Sequence, residues 1–197
     1  KKQMKKLKLN KKIQLINVNK LKLNEYKLDN NSINLINIDY KQKKSFKKIS
    51  DKSQQFIKKS FDTAFKIIKK EKIRKFINGP ISKKYFLNKK YLGMTEYISN
   101  YFSKQNTCML IFNKKLSVSP LTTHLPLSLV SKKINKKDLK NKIILIQNFY
   151  KRFFNIKPRI GVLGLNPHCE SVLHKNEDQM IIKPLVNNMK KKGFKIS

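Results

Sequence analysis

The sequence has no tryptophan, two cysteines, five glycines and eleven acidic residues in 197 positions. Each shortage closes off a class of function. Cys108 and Cys169 form neither a disulfide framework nor a metal-ligand spacing, which suits a reducing, cytoplasmic setting. The glycines, at 79, 93, 161, 164 and 193, make no G-x-G-x-x-G and no Walker A loop, so a nucleotide would have to bind in another mode. No G-x-S-x-G nucleophile elbow is present, and Cys169 beside His168 makes a poor nucleophile, because neighbouring loop side chains usually point apart. No apolar run nears the ~18 residues of a membrane helix. The lysine-rich start leads only into Ile13-Gln14-Leu15-Ile16, too short for the core of a signal peptide.

Arginine is scarce too. Arg74, Arg152 and Arg159 are the three arginines among 47 basic residues, in a chain of net charge +36. Such a charge suggests nucleic acid or an anionic surface. Specific nucleic-acid surfaces favour arginine for its bidentate fork, and here lysine travels with asparagine and isoleucine through loops and helices alike. That pattern fits a bias of composition with solvated faces. It predicts weak, salt-sensitive binding to polyanions and no specific nucleic-acid or membrane partner. A lysine-rich polyanion-binding module is the competing reading from a different functional class.

What is present is an alternation of β-like and helical runs. Residues 1–12 are mostly lysine and are expected to fray. Ile13–Val18 and Ile33–Ile38 read as strands separated by a polar loop, and Lys41–Lys52 as a solvated linker. Ser53 is a candidate N-cap for a helix to about Lys72, with Phe56, Ile57, Phe61, Ala64, Phe65 and Ile68 on one face. A short strand is expected at Lys75–Ile77, a short helix from Ser82 to Leu87, and a helix over Glu96–Phe102 capped by Thr95. Cys108–Phe112 and Leu116–Leu121 read as a hairpin, Leu127–Ile134 as weakly helical and Asp138–Phe154 as a strong helix. Arg159–Leu163 is a strand. Asn176 then caps a helix that Pro184 either kinks or starts near Lys183. The alternation predicts an α/β fold with an at least partly parallel sheet. Composition and motifs divide it into a lysine-rich segment, 1–52, and an α/β portion, 53–197.

Chemistry-bearing residues gather in four loops. Gly164-Leu165-Asn166-Pro167-His168-Cys169-Glu170 follows a strand, as does Thr122-Thr123-His124-Leu125-Pro126-Leu127. Loops at the carboxyl ends of strands are where open α/β sheets bind ligands. His124 and His168 could share a divalent metal, or could simply close strand ends as structural side chains. His174 lies in a polar stretch and reads as a surface residue. In Asn78-Gly79-Pro80-Ile81-Ser82-Lys83, the amides after Ser82 and the Lys83 charge could receive a phosphate, although Gly-Pro is also a common turn. Gly93-Met94-Thr95-Glu96 is equally open, since Thr95 could be a plain cap.

In this order the four loops resemble the 4-hydroxythreonine-4-phosphate dehydrogenase family, the PdxA type. Its members carry T-G-P-x-x-K, G-H-T-E, T-T-H-x-P-L and G-L-N-P-H-A-G-E. The resemblance covers roughly residues 55–197. The resemblance implies a fold like that of isocitrate and isopropylmalate dehydrogenases. It also implies NAD- or NADP-dependent oxidation and decarboxylation of 4-phosphooxy-L-threonine on the route to pyridoxal 5'-phosphate, by a homodimer. It makes His124 and His168 two of three histidine ligands to a divalent metal (Zn, Mg or Co), which predicts ring nitrogens about 3–4 Å apart given Zn–N bonds of about 2 Å. Thr95, with Met94 and Lys83, becomes a candidate contact for the substrate phosphate. Met94 stands where the family has histidine, and His168-Cys169-Glu170 is one residue shorter than H-A-G-E. The family's glycine-rich opening loop and third histidine have no counterpart, so the chain as given is expected to be an incomplete and inactive piece. A dehydrogenase for another phosphorylated hydroxy acid is the nearer competing reading, and Met94 favours it.

Overall fold

The structure, a computed structural model, describes residues 2–17, 28–42, 44, 46, 48, 50–87, 90–103, 106–166 and 175–197. Contacts divide the chain into two compact units, Lys1–Tyr91 and Leu92–Ser197. This division differs from the one drawn from composition at residue 52.

In the first unit, β1 (Ile13–Ile16) and β2 (Ile33–Ile36) pair in parallel, Ile13 opposite Ile33. Parallel neighbours need a crossover of about a dozen residues or more, which the long connection between them supplies. The start of the chain departs from expectation: α1 (Lys2–Lys6) is helical where fraying was predicted. Ahead of β2, the Asp29 carboxylate accepts from Ser32 Oγ and the Asn31 amide. Those bonds, the Ser32 hydroxyl first, hold its pKa below the ordinary carboxylate value.

The core of this unit is aromatic. α2 (Gln54–Lys70) buries Phe61 and Phe65. Phe61 stacks on Phe86 at 5.3 Å, and Phe65 meets Phe61 at 5.5 Å and Phe76 at 5.7 Å. Phe86 belongs to α3 (Lys83–Phe86), one turn that brings Phe86 and Leu87 inward. Two predictions fail here. Ser53 does precede α2, but its hydroxyl donates to Ser50 O and caps nothing. Lys75–Ile77 forms no strand; the Phe76 ring docks on the aromatic cluster while Ile77 is 95% exposed.

The second unit starts with α4 (Met94–Tyr101). Gly93 takes its cap position, so Thr95 lies inside the helix and not before it. The expected hairpin is reduced to one antiparallel bridge, Ile111 with Val118. Next come α5 (Leu127–Lys133) and α6 (Lys136–Phe154). The Asn135 side chain caps α6 by accepting from the Asp138 amide at 2.9 Å, and left-handed Asn155 ends it. After the loop segment, Asp178–Ile182 forms a π-helical turn that runs straight into α7 (Lys183–Lys191). Asn176 caps it as predicted, accepting from the Gln179 amide. α7 starts at Lys183, as the position of Pro184 requires. Gly193, at φ +83°, closes α7 with paired bonds from its own amide to Lys190 O and from Phe194 to Met189 O. That turn returns the chain so that Ile196 pairs in parallel with Ile160. The predicted strand Arg159–Leu163 is thus a single bridge among the described residues.

Leu139 and Ile143 of α6, Ile182, Leu185 and Met189 of the π turn and α7, and Ile196 form one buried cluster. It fastens α6 to the π turn and α7. No described helix is long and apolar enough to cross a membrane.

Candidate functional site

The Thr122–Leu127 loop is held by what precedes it. Ile111 and Val118 exchange backbone bonds of 2.8 and 3.0 Å. Ser119 Oγ donates to Met109 O at 2.8 Å, and Tyr150 OH meets Ser117 Oγ at 2.8 Å. From α6, Lys142 Nζ donates to the carbonyls of Pro120 and Leu121 at 3.1 and 2.8 Å. The chain then turns at His124, whose φ is +55°. Lys8, Lys72, Ser103 and Asn155 share that sign just after helix ends, where a left-handed residue is ordinary, and Phe46 shares it away from any described helix. His124 ends no helix. A non-glycine residue held in this region by its surroundings is a recognised mark of a functional loop. The His124 side chain is exposed.

The Gly93–Glu96 loop comes to the same place. A methyl group placed on Gly93 would sit 2.9 Å from Glu96 Oε2 and 3.9 Å from His124 Nε2. The Glu96 carboxylate and the His124 ring therefore share the space over Gly93. Gly93 has φ −161°, which any residue adopts, so the glycine serves close approach and not backbone freedom. Met94 and Thr95, half-buried, are the first two residues of α4. Two of the four motif loops are thus neighbours.

The remaining two stand differently. Lys83 belongs to the first unit, exposed at the start of α3. His168, Cys169, Glu170 and His174 lie outside the described residues, and with them the expected distance from His124 to His168. The approach to that loop is described. Ile160 and Val162 bond to Lys195 O and Ser197 O. The Asp178 carboxylate accepts from the Leu165 amide at 2.8 Å and, more weakly, from the Asn166 amide at 3.3 Å and Asn166 Nδ2 at 3.4 Å. Asp178 is 5% exposed, the one buried charged side chain among the described residues.

An exposed imidazole beside a carboxylate suits a borderline divalent ion. It is not a complete site: no three His, Cys, Asp or Glu side chains among the described residues gather as a metal set. Sequence reading placed Glu96 in the right loop without a role. It missed Lys142, one lysine among many, and Asp178. No local signal marked either.

The whole chain, residues 1–197, matches the family model described as pyridoxal phosphate biosynthetic protein PdxA. The chain belongs to the PdxA family. The match includes the lysine-rich N-terminal segment, 1–52. A 4-hydroxythreonine-4-phosphate dehydrogenase from Sulfurihydrogenibium sp. (strain YO3AOP1) is 33% identical over 169 residues, 84% of this chain and 51% of the relative. A D-threonate 4-phosphate dehydrogenase from Pectobacterium atrosepticum is 32% identical over 107 residues, 54% of this chain and 33% of that protein. The solved structure of a putative 4-hydroxythreonine-4-phosphate dehydrogenase from Salmonella typhimurium superimposes with a TM-score of 0.79 at 22% identity, covering 99% of this chain and 60% of that one. The PdxA chain therefore has the α/β fold of those dehydrogenases, as the motif resemblance implied. It spans about half the length of the Sulfurihydrogenibium relative.

Proposed function

We propose that this PdxA-family chain supplies part of an NAD- or NADP-dependent dehydrogenase that oxidises and decarboxylates 4-phosphooxy-L-threonine in pyridoxal 5'-phosphate biosynthesis. The observation that carries this reading is the meeting of the Gly93–Glu96 and Thr122–Leu127 loops over Gly93, in a chain that matches the family throughout. A divalent ion (Zn, Mg or Co) held by His124 and His168 would stabilise negative charge on the substrate oxygen, and the nicotinamide would accept the hydride. The protein's own part is placement. The left-handed turn presents the His124 ring, and Glu96 beside it limits where that ring can stand. Thr95 offers a hydroxyl and an amide in the first turn of α4 to the substrate phosphate. A homodimer, in a cytoplasmic setting, fits the exposed apolar surface of Ile111, Leu116, Val118, Phe153 and Phe154, where Phe112 stacks on Phe154 at 5.4 Å. Sedimentation as a monomer at micromolar concentration would contradict the dimer.

The Pectobacterium relative favours a second reading, D-threonate 4-phosphate as substrate, and Met94 leaves the phosphate grip of either substrate different from the family's. A thioether cannot donate a hydrogen bond to phosphate, whereas imidazole can. The deciding assay measures NADH or NADPH formation with each substrate and a divalent ion, on the longest protein the gene encodes. Under the first reading 4-phosphooxy-L-threonine is the better substrate, and Met94→His lowers its KM about tenfold, the worth of roughly one charge-assisted bond. A higher kcat/KM for D-threonate 4-phosphate establishes the second reading. Turnover of neither substrate removes both.

A further inference from the structure

We propose that Lys142 and Asp178 are positioning residues of opposite charge, each clamping the backbone that leads into one histidine loop. The inference rests on the reading of His124 and His168 as metal ligands. Pro120 and Leu121, whose carbonyls take the Lys142 ammonium, stand four and three residues before His124. Leu165 and Asn166, whose amides meet the Asp178 carboxylate, stand three and two residues before His168. The same arrangement thus recurs at both loops, with the sign of the charge matched to the backbone group. Carbonyls face a cation at one strand end, and amides face an anion at the other.

Backbone groups that leave a strand pairing must find partners elsewhere or turn to water. A bond to a charged side chain is about twice as strong as a neutral one. Both clamps are rooted in the same core. Lys142 adjoins buried Ile143 on α6, one turn beyond buried Leu139, and Asp178 opens the π turn that buries Ile182. A short π segment inside a helix often marks a functional position, and here it carries the clamp. Neither side chain has the surroundings of an ordinary charge on this protein. Lys142 is half-buried with its ammonium on two carbonyls, in a chain whose lysines are mostly solvated. Asp178 is buried, and its partners among the described residues are backbone amides and the Asn166 amide. Ligands set within fractions of an ångström need such support from rigid elements.

Titration of the full-length protein with Co²⁺ tests the proposal. Lys142→Met and Asp178→Asn should each weaken Co²⁺ binding about tenfold or more, the scale found when supporting partners of metal ligands are lost. Lys142→Arg keeps donors for both carbonyls and should restore affinity to within about threefold of wild type. Asp178→Asn should also speed amide exchange at Leu165 and Asn166. Lower melting temperatures with unchanged Co²⁺ affinity would make both residues merely structural and overturn the proposal. If Asp178→Asn does not fold, Lys142→Met against Lys142→Arg decides it. Wild-type affinity in His124→Ala and His168→Ala would remove the underlying metal reading, a result distinct from failure of the clamps alone.

Discussion

His124→Ala should lower the affinity of the protein for a divalent ion by about a hundredfold. Apparent binding energies for structural zinc run to about 10–16 kcal/mol; shared over three or four ligands, that is ~3 kcal/mol or more for one imidazole. The backbone at His124 sharpens the experiment. At φ +55° alanine is strained there and glycine is not. His124→Gly therefore removes the ring while easing the turn, and should match the alanine variant in metal loss without matching its loss of stability. Competition with a chromophoric chelator gives the affinity, and urea unfolding gives the stability. Metal loss in the alanine variant alone would assign the effect to loop distortion, and the ring would then not be a ligand.

Phe65→Ala should cost about 3–5 kcal/mol of stability, the range for removing a buried aromatic ring. Phe65 is 0% exposed and lies against both Phe61 and Phe76. Domains are stable by only about 5–15 kcal/mol, so the variant should lose much of the cooperative unfolding of the first unit. A loss below ~1 kcal/mol in denaturant titration would mean that the aromatic cluster is not the core of that unit. Asp29→Asn, on a half-buried turn of the same unit, should change far less.

The contrast between Phe65 and Phe76 shows what local pattern can convey. Phe61 and Phe65 recur at helical spacing, so α2 and its buried face are legible from sequence. Phe76 sits in a β-like triplet, yet strand formation needs a pairing partner, and its ring is claimed by the cluster instead. Ile160 has a partner, Ile196, but that partner is set by the Gly193 turn at the far end of α7 and is invisible around residue 160. Thr95 looked like a cap because its side chain can serve as one; Gly93 takes the position because Glu96 and His124 crowd it.

The candidate site divides in the same way. Its loops were legible as motifs, since T-T-H-x-P-L and G-L-N-P-H are long and ordered. The meeting of the Thr122–Leu127 loop with Glu96 over Gly93 was not, because it depends on the packing of α4 beside the His124 turn. Lys142 and Asp178 were invisible as supports. A lysine in a chain of charge +36 reads as solvated, and an aspartate at a helix start reads as a dipole partner. Only the distances to Pro120, Leu121, Leu165 and Asn166 give them roles.

Anomalous diffraction from a crystal of the protein grown with Co²⁺ or Zn²⁺ tests directly whether His124 and His168 share an ion. One peak is expected, with a nitrogen of His124 and a nitrogen of His168 each about 2.0–2.1 Å away. A peak that leaves out either ring, or two rings too far apart to share one ion, would contradict it.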